Sequence, residues 1–297
     1  MVLYLSEPDI AKVLTYEKLI PAMERALAAF SAGKVIQPVR QILTIEEGKR
    51  FFGVMPAVTP DGMGAKLVAF YPKNEGTEHH THTASISLFD PETGEPLAFM
   101  DGRLITEMRT AAVSAAVTKY AALPDAKVLT LIGSGVQAEA HLHALRHVCS
   151  FNEVRIWSRT TENARKFADK HLVKAMELEQ AVRGADVIVT ATNSLQAIVK
   201  GAWLKEGVHL NAVGSSRPSW RELDDDVMRN VVIADSREAV LKESGDVILS
   251  RAQIFAEAGE VFAGAKLISR EKTTVFKSVG LAVEDIAAAR LVYDMLA

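Results

Sequence analysis

Residues 128–138, Val-Leu-Thr-Leu-Ile-Gly-Ser-Gly-Val-Gln-Ala, constrain the fold more than any other part of the chain. Val128 to Ile132 are an apolar run of strand formers, and the residues after Gly135 have helical composition. A strand, a Gly-x-Gly-x-x-Ala turn and a helix form the opening unit of a dinucleotide-binding fold. Gly133 permits the tight turn, Gly135 lets the backbone approach a pyrophosphate, and Ala138 is small enough for helix to pack on strand. Amide groups at the helix start would then face the phosphates. A single turn of this kind also occurs with no ligand, so its neighbours must decide.

They repeat the alternation. Glu153–Trp157, Ala185–Ala191, Val208–Val213 and Val231–Ala234 read as strands, with helical composition over Thr161–His171 and Leu178–Arg183. Apolar strands alternating with helices predict a parallel sheet covered on both faces. Residues 125–280 are therefore expected to form a Rossmann-type doubly wound domain that binds a dinucleotide. Residues 1–124 have another rhythm. Ser6–Asp9 suits a helix start, and Tyr16–Ala32 has helical spacing closed by Gly33. Strands are expected at Gln37–Thr44, Phe51–Met55, Ala65–Phe70, Ala84–Phe89 and Leu97–Met100. The turns between them include Glu46-Glu47-Gly48, Pro60–Gly64 and Asp90–Gly94. A small-residue helix within Leu104–Leu123 leads to a boundary at Pro124-Asp125. The fold class is thus α/β, a doubly wound parallel sheet plus a strand-rich α/β domain. A final helix, Leu281–Leu296, is expected to pack back on the first domain.

Charge and cysteine content narrow the function. A chain of 297 residues with formal charge −3 and no basic block gives no reason to expect nucleic acid. No apolar run approaches the roughly 20 residues of a membrane span. The opening MVLYLSEPDI lacks a basic leader with an apolar core, and the single Cys149 fits a reducing compartment, so a cytoplasmic location is expected. Cys149 reads as a small apolar residue rather than a catalytic thiol.

The second strand ends Trp157-Ser158-Arg159-Thr160. An acidic residue there would hold the ribose hydroxyls of NAD and repel a 2′-phosphate. A guanidinium beside two hydroxyls suits that phosphate instead, so NADPH is the expected cofactor and NADH the alternative. Ligands of such sheets sit beyond the carboxyl ends of the strands, which points to Thr192-Asn193-Ser194 and Gly214–Pro218. The cluster His79-His80-Thr81-His82 has imidazoles but no second ligand motif. It reads as a polar loop without a metal, with His82 lining a substrate entrance.

Six segments together carry a resemblance. They are Gln37–Arg40, Ala65–Val68, Met108–Ala115, Gly133–Ala138, Asn211–Gly214 and Thr273–Gly280, and the combination is similar to the ornithine cyclodeaminase/mu-crystallin family. Val154–Thr160, Ser216–Asp225 and Leu241–Asp246 resemble its mu-crystallin, or ketimine reductase, branch. The resemblance implies a homodimer whose first domain supplies dimer contacts and substrate site, and a nicotinamide-dependent reaction on an imino or oxo acid. It assigns Arg40, Lys66 and Arg109 to the substrate carboxylate. Two guanidiniums offer bidentate bonds and a lysine a point charge. In an apolar strand, Lys66 beside two arginines should have a lowered pKa and serve as the acid for the substrate nitrogen. The expected cofactor contacts are Thr110, Gly133, Ser134, Gly135, Val136 and Gln137 around the first turn. Ser158, Arg159, Thr160, Thr192, Val213 and Ser216 complete them. Ser216, with His82, is also expected to meet substrate.

One departure bears on the reaction. Cyclodeaminases of this family have an aspartate where this chain has Ser216, and a hydroxyl supplies neither charge nor a base near neutral pH. Asp224, Asp225 and Asp226 read as a solvated face, too far along to replace it. The leading expectation is NADPH-dependent reduction of cyclic ketimines such as Δ1-pyrroline-2-carboxylate and Δ1-piperideine-2-carboxylate to L-proline and L-pipecolate. Alternatives are alanine dehydrogenase-like reductive amination of a 2-oxo acid, ornithine cyclodeamination, and NADPH-regulated binding of a thyroid-hormone-like small molecule.

Overall fold

The structure, a computed structural model, describes residues 2–47, 49–74 and 76–297. Gly48, the glycine of an expected turn, lies outside them. The chain folds as two compact units, residues 1–109 with 281–297, and residues 110–280.

Unit 1 contains β1 (Leu3–Leu5), α1 (Glu7–Ala11), α2 (Tyr16–Ser31) and β2 (Gln41–Glu46). The long strands β3 (Arg50–Thr59) and β4 (Gly62–Phe70) follow, then β5 (His82–Phe89) and β6 (Pro96–Asp101). The strands form one sheet in the order β1-β6-β5-β4-β3-β2, antiparallel except for the β1–β6 pair. Alternation sorts its two faces. Phe51, Met55, Lys66, Ile86, Leu88 and Met100 point inward and are buried, with Leu19, Met23 and Leu27 of α2 also in the core. The last helix of the chain packs on α2 and on β3, β4 and β5.

One strand starts later than its composition suggests. Gln37 to Arg40 precede β2 instead of opening it. Pro38 has no N–H to give a ladder. The Gln37 side-chain oxygen accepts a hydrogen bond from the Val283 amide at 2.6 Å, at the start of the last helix. In the other direction, β3 runs through Pro56, a residue placed beyond the end of the β2 ladder at Val54. The three-residue β1 was too short to read as a strand.

The helix α3 (Arg103–Ala121) contains the division between the units, at Arg109–Thr110. Pro124 follows the helix end and is not where the compact units part. Ala111, Ala112, Val113, Ala115, Ala116 and Val117 are fully buried. Ser114 meets His141 at 2.9 Å, and Thr118 Oγ1 accepts from Asn211 Nδ2 at 3.0 Å, which fastens this part of the helix to unit 2.

Unit 2 alternates strand and helix: β7 (Val128–Ile132), α4 (Val136–Arg146), β8 (Glu153–Trp157), α5 (Thr161–His171), β9 (Lys174–Ala175), α6 (Leu178–Val182) and β10 (Val187–Thr190). Its remainder is β11 (His209–Ala212), α7 (Asp225–Met228), β12 (Val231–Ala234), α8 (Arg237–Glu243), α9 (Gly245–Ser250), β13 (Ile254–Glu257), α10 (Ala258–Phe262) and β14 (Thr274–Lys277). The eight strands are parallel in the order β13-β12-β14-β11-β10-β7-β8-β9. The chain moves outward from β7 to β8 and β9, then returns to β10 on the other side. That reversal is the switch point where doubly wound sheets bind ligands. The Rossmann-type fold expected of this region is therefore present. The final helix, α11 (Ala282–Leu296), belongs to unit 1. No helix among the described residues is long and apolar enough to cross a membrane.

Candidate functional site

Unit 1 carries a buried charge cluster. Lys66 points inward from the middle of β4 between Ala65 and Leu67, and Arg109 is the seventh residue of α3. Both are almost fully buried, as are Glu284 and Asp285 in the first turn of α11. Lys66 Nζ lies 2.7 Å from Asp285 Oδ2. Arg109 Nε donates to Asp285 Oδ1 at 2.9 Å, and its Nη1 donates to Glu284 Oε2 at 2.6 Å. The positive end of α11 favours these two carboxylates in its first turn. Burial lowers the Lys66 pKa to about 8. Asp285 opposes that shift, while Arg109 and Arg40 add to it. Arg40 is thus close enough to act on Lys66 electrostatically, and it is half-buried.

The expected trio of cations therefore comes together in unit 1, accompanied by two carboxylates absent from the sequence-based site. Nothing local marks Glu284 and Asp285. Acidic residues in a first helical turn are ordinary, and Asp285 is 176 residues from Arg109. The cluster sums to one net positive charge when all five groups are ionised, three cations against two carboxylates.

Unit 2 presents the Gly-rich turn at the carboxyl end of β7. Gly133 has φ +111°, and a Cβ there would lie 2.4 Å from the Ala191 carbonyl oxygen. Gly135 is the N-cap of α4, without a side chain to occupy the first amides, and a Cβ on it would meet open space. An uncapped helix start with clear approach fits a pyrophosphate. Ser134 Oγ is 2.9 Å from Ser158 Oγ, which joins the turn to the end of β8. Arg159 and Thr160 are exposed beside Ser158, with no carboxylate in the Ser158–Thr160 turn. Val136 is exposed, and Thr110, Gln137, Thr192 and Val213 are half-buried.

The turns after β10 and β11 share an anchor that sequence reasoning missed. Glu222 is fully buried and accepts from Thr192 N and Oγ1 on one oxygen, at 2.6 and 2.8 Å. Its other oxygen accepts from Thr190 Oγ1 at 2.8 Å, Gly214 N at 2.9 Å and Ser215 N at 3.3 Å. Burial raises its pKa, while Lys277 and the threonine bonds oppose the shift. Asp246 in turn accepts from the amides of Glu222 and Leu223, and Lys277 lies 3.0 Å from Asp246. Glu222 and Asp246 stood inside the segments carrying the family resemblance, but position alone gave them no role.

Other expected residues are more peripheral. Ser216 is exposed in the loop after β11. His82 opens β5, exposed and packed against Phe70 with ring centroids 4.2 Å apart. It shares the Lys66 face but lies four residues along, about 13 Å at the usual strand rise, so it is not among the cluster contacts. Asp225 and Asp226 are exposed, whereas Asp224 caps α7 and accepts from the Val227 and Gly201 amides. The solvated-face reading thus fails for Asp224, because a helix start and a neighbouring amide both need its carboxylate. Burial raises the pKa of Cys149, which disfavours the thiolate.

Comparisons with known proteins agree with this architecture. A ketimine reductase mu-crystallin of Mus musculus is 53% identical over 285 residues, covering 93% of this chain and 91% of that protein. The Thermococcus litoralis Δ1-pyrroline-2-carboxylate reductase, solved with NADH and L-proline, is 36% identical with a TM-score of 0.93, covering 99% of this chain and 97% of that one. An archaeal alanine dehydrogenase dimer with bound NAD is 32% identical with a TM-score of 0.92, covering 99% and 95%. The sequence model of the ornithine cyclodeaminase/mu-crystallin family matches residues 2–297. From its two sheets to nearly its full length, the chain belongs to that family.

Proposed function

We propose that this protein is an NADPH-dependent reductase of imines bearing a carboxylate next to the C=N bond. Its substrates are cyclic ketimines such as Δ1-pyrroline-2-carboxylate and Δ1-piperideine-2-carboxylate, giving L-proline and L-pipecolate. The observation that carries the proposal is the grouping of buried Lys66 and Arg109 with half-buried Arg40, which Glu284 and Asp285 reduce to one net positive charge, matched to one substrate carboxylate. The names of the mouse and Thermococcus relatives, and the L-proline bound by the latter, support the same substrate class.

Unit 1 is the proposed substrate and dimerisation domain, and unit 2 the proposed NADP domain. A nicotinamide cofactor, when bound to unit 2, would supply the hydride for the imine carbon. Arg40 and Arg109 hold the carboxylate and so fix the carbon's position. Lys66, with Asp285 orienting its ammonium, gives the imine nitrogen its proton. Glu284 and Asp285 keep Arg109 from collapsing onto other acceptors. On unit 2, the amides after Gly135 receive the pyrophosphate, and Ser158, Arg159 and Thr160 the 2′-phosphate. Glu222 holds the Thr192 and Gly214 turns in place. His82 and Ser216 are at most outer contacts to substrate or cofactor in this scheme.

A homodimer formed through unit 1 completes the proposal, and its single cysteine fits a cytoplasmic setting. Adjacent residues on each strand point to opposite faces, so Tyr4, Leu67 and Phe99 lie on the side away from Lys66 and Met100, and all three are exposed. Tyr4 and Phe99 stack with centroids 5.7 Å apart.

Reductive amination of a 2-oxo acid is the second reading, favoured by the likeness to alanine dehydrogenase. Following NADPH absorbance with the two cyclic imines, and with pyruvate plus ammonia, separates them. Cyclic-imine turnover far above pyruvate turnover is expected. The reverse order would favour amination, and no oxidation with either would leave a binding protein. Arg40→Ala is the variant of choice. Arg109→Ala would remove the donors that Arg109 gives the buried Glu284 and Asp285, leaving Asp285 with Lys66, at a cost of up to about 3–5 kcal/mol to folding. Loss of a charged hydrogen bond worth ~1.5–3 kcal/mol predicts an imine KM raised about ten- to a hundredfold with NADPH affinity kept. An unchanged KM would remove Arg40 from the site.

A further inference from the structure

Unit 2 has a second cluster of ligating side chains, outside the cofactor turn. Glu139 and His143 stand four residues apart on α4, so they share one helical face. His171 is the last residue of α5. Its Nε2 lies 3.6 Å from Glu139 Oε1, and His143 Nε2 lies 3.9 Å from the same oxygen. One potential ligand atom from each residue falls within 4.8 Å of the other two. The ligand atoms of a tetrahedral zinc site are about 3.4 Å apart, as bonds of ~2.0–2.1 Å require. Small rotations of three side chains would close the difference.

A second observation concerns His171 itself. Its side chain is only 7% exposed, and Nε2 is buried without a hydrogen-bond partner. Phe167 packs against the ring at 4.4 Å and holds it toward α4. A buried imidazole nitrogen normally has a partner, and its lack of one here is a cost that a ligand would relieve. The Glu139 carboxylate is held by Lys170 Nζ at 2.7 and 2.9 Å, a lysine with a 62% exposed side chain that can swing into solvent. Arg146 also acts on this cluster as a nearby positive charge.

The geometry points to a site for a zinc-class divalent cation held by Glu139, His143 and His171, with water in the fourth position. Two imidazoles and one carboxylate are a borderline donor set that suits Zn2+ or Co2+ over Mg2+ or Ca2+. The bound ion takes the place of the Lys170 ammonium and ties the last turn of α5, where the helix dipole favours a cation, to α4. His79 and His80, in unit 1, have no part in it.

Calorimetric titration of the chelator-treated, tag-free full chain with zinc chloride tests this, with Co2+ absorption reporting ligand geometry. One ion per chain is expected. His143→Ala, at a half-exposed position that does not threaten folding, should weaken binding more than about tenfold. Lys170→Ala should strengthen it several-fold by removing the competing ammonium. His79→Ala with His80→Ala should leave it unchanged. Absence of saturable binding, or binding that survives His143→Ala, would overturn the assignment. So would binding lost in the His79/His80 variant.

Discussion

Lys66 shows how one residue can be legible in sequence while its chemistry is not. An apolar strand and a family motif were enough to mark it, and the burial it needed is present. Its strongest partner, Asp285, approaches from a helix more than two hundred residues later, and no local pattern announces it. The balance leaves its pKa at about 8, below the ordinary 10.5. Lysine can protonate an imine only as the ammonium, which is lost as pH rises through the folded pKa. The lowered value therefore brings the loss of acid down from beyond pH 10 to about pH 8. In the reductive direction, kcat/KM should fall about tenfold per pH unit above pH 8, while oxidation of the cyclic amine should gain over the same interval. Rates followed from pH 6 to 10 check this. Lys66→Arg should lack that limb, and a limb that persists in the variant would belong to the substrate instead.

At the scale of elements, the turn from β7 to α4 was the most readable part of the chain because each of its residues answers a local need. Gly133 and Gly135 nevertheless have different duties. Alanine at Gly133 would have to accept φ +111° and a backbone oxygen at 2.4 Å, so about 1–3 kcal/mol of strain is expected, plus the clash. Alanine at Gly135 meets neither problem, and its methyl would stand where the proposed cofactor's pyrophosphate would approach. Thermal melts and NADPH fluorescence titrations should thus separate the two. Gly133→Ala should lower the melting temperature, whereas Gly135→Ala should melt normally and bind NADPH more than about tenfold less tightly. Equal melting of the two variants would contradict the division of roles. Glu222 and β14 illustrate what stayed hidden. A glutamate fixed by five donors looks like any other in sequence, and β14 places Lys277 in a central strand because Asp246 is there to receive its charge.

Across the whole molecule, the alternation of strands and helices made the doubly wound unit legible, and hairpin turns did the same for unit 1. Less legible was the point of division, because α3 is one uninterrupted helix and only three-dimensional contacts assign its halves. The exposed apolar face of the unit 1 sheet belongs to this scale too. If a second copy covers it, Leu67→Lys with Phe99→Lys should convert a dimer into a monomer in sedimentation velocity runs. Sedimentation unchanged by the pair would place the interface elsewhere. A last consequence concerns the order of synthesis. Unit 1 is interrupted by all of unit 2, and the counter-charges for Lys66 and Arg109 come from residues 284 and 285. During translation the first 109 residues hold two cations destined for burial with no acid yet made to receive them, while residues 110–280 already form a complete set of parallel strands. Unit 2 can therefore be finished on the ribosome before the unit that begins the chain, and the earliest part of the polypeptide is among the last to settle.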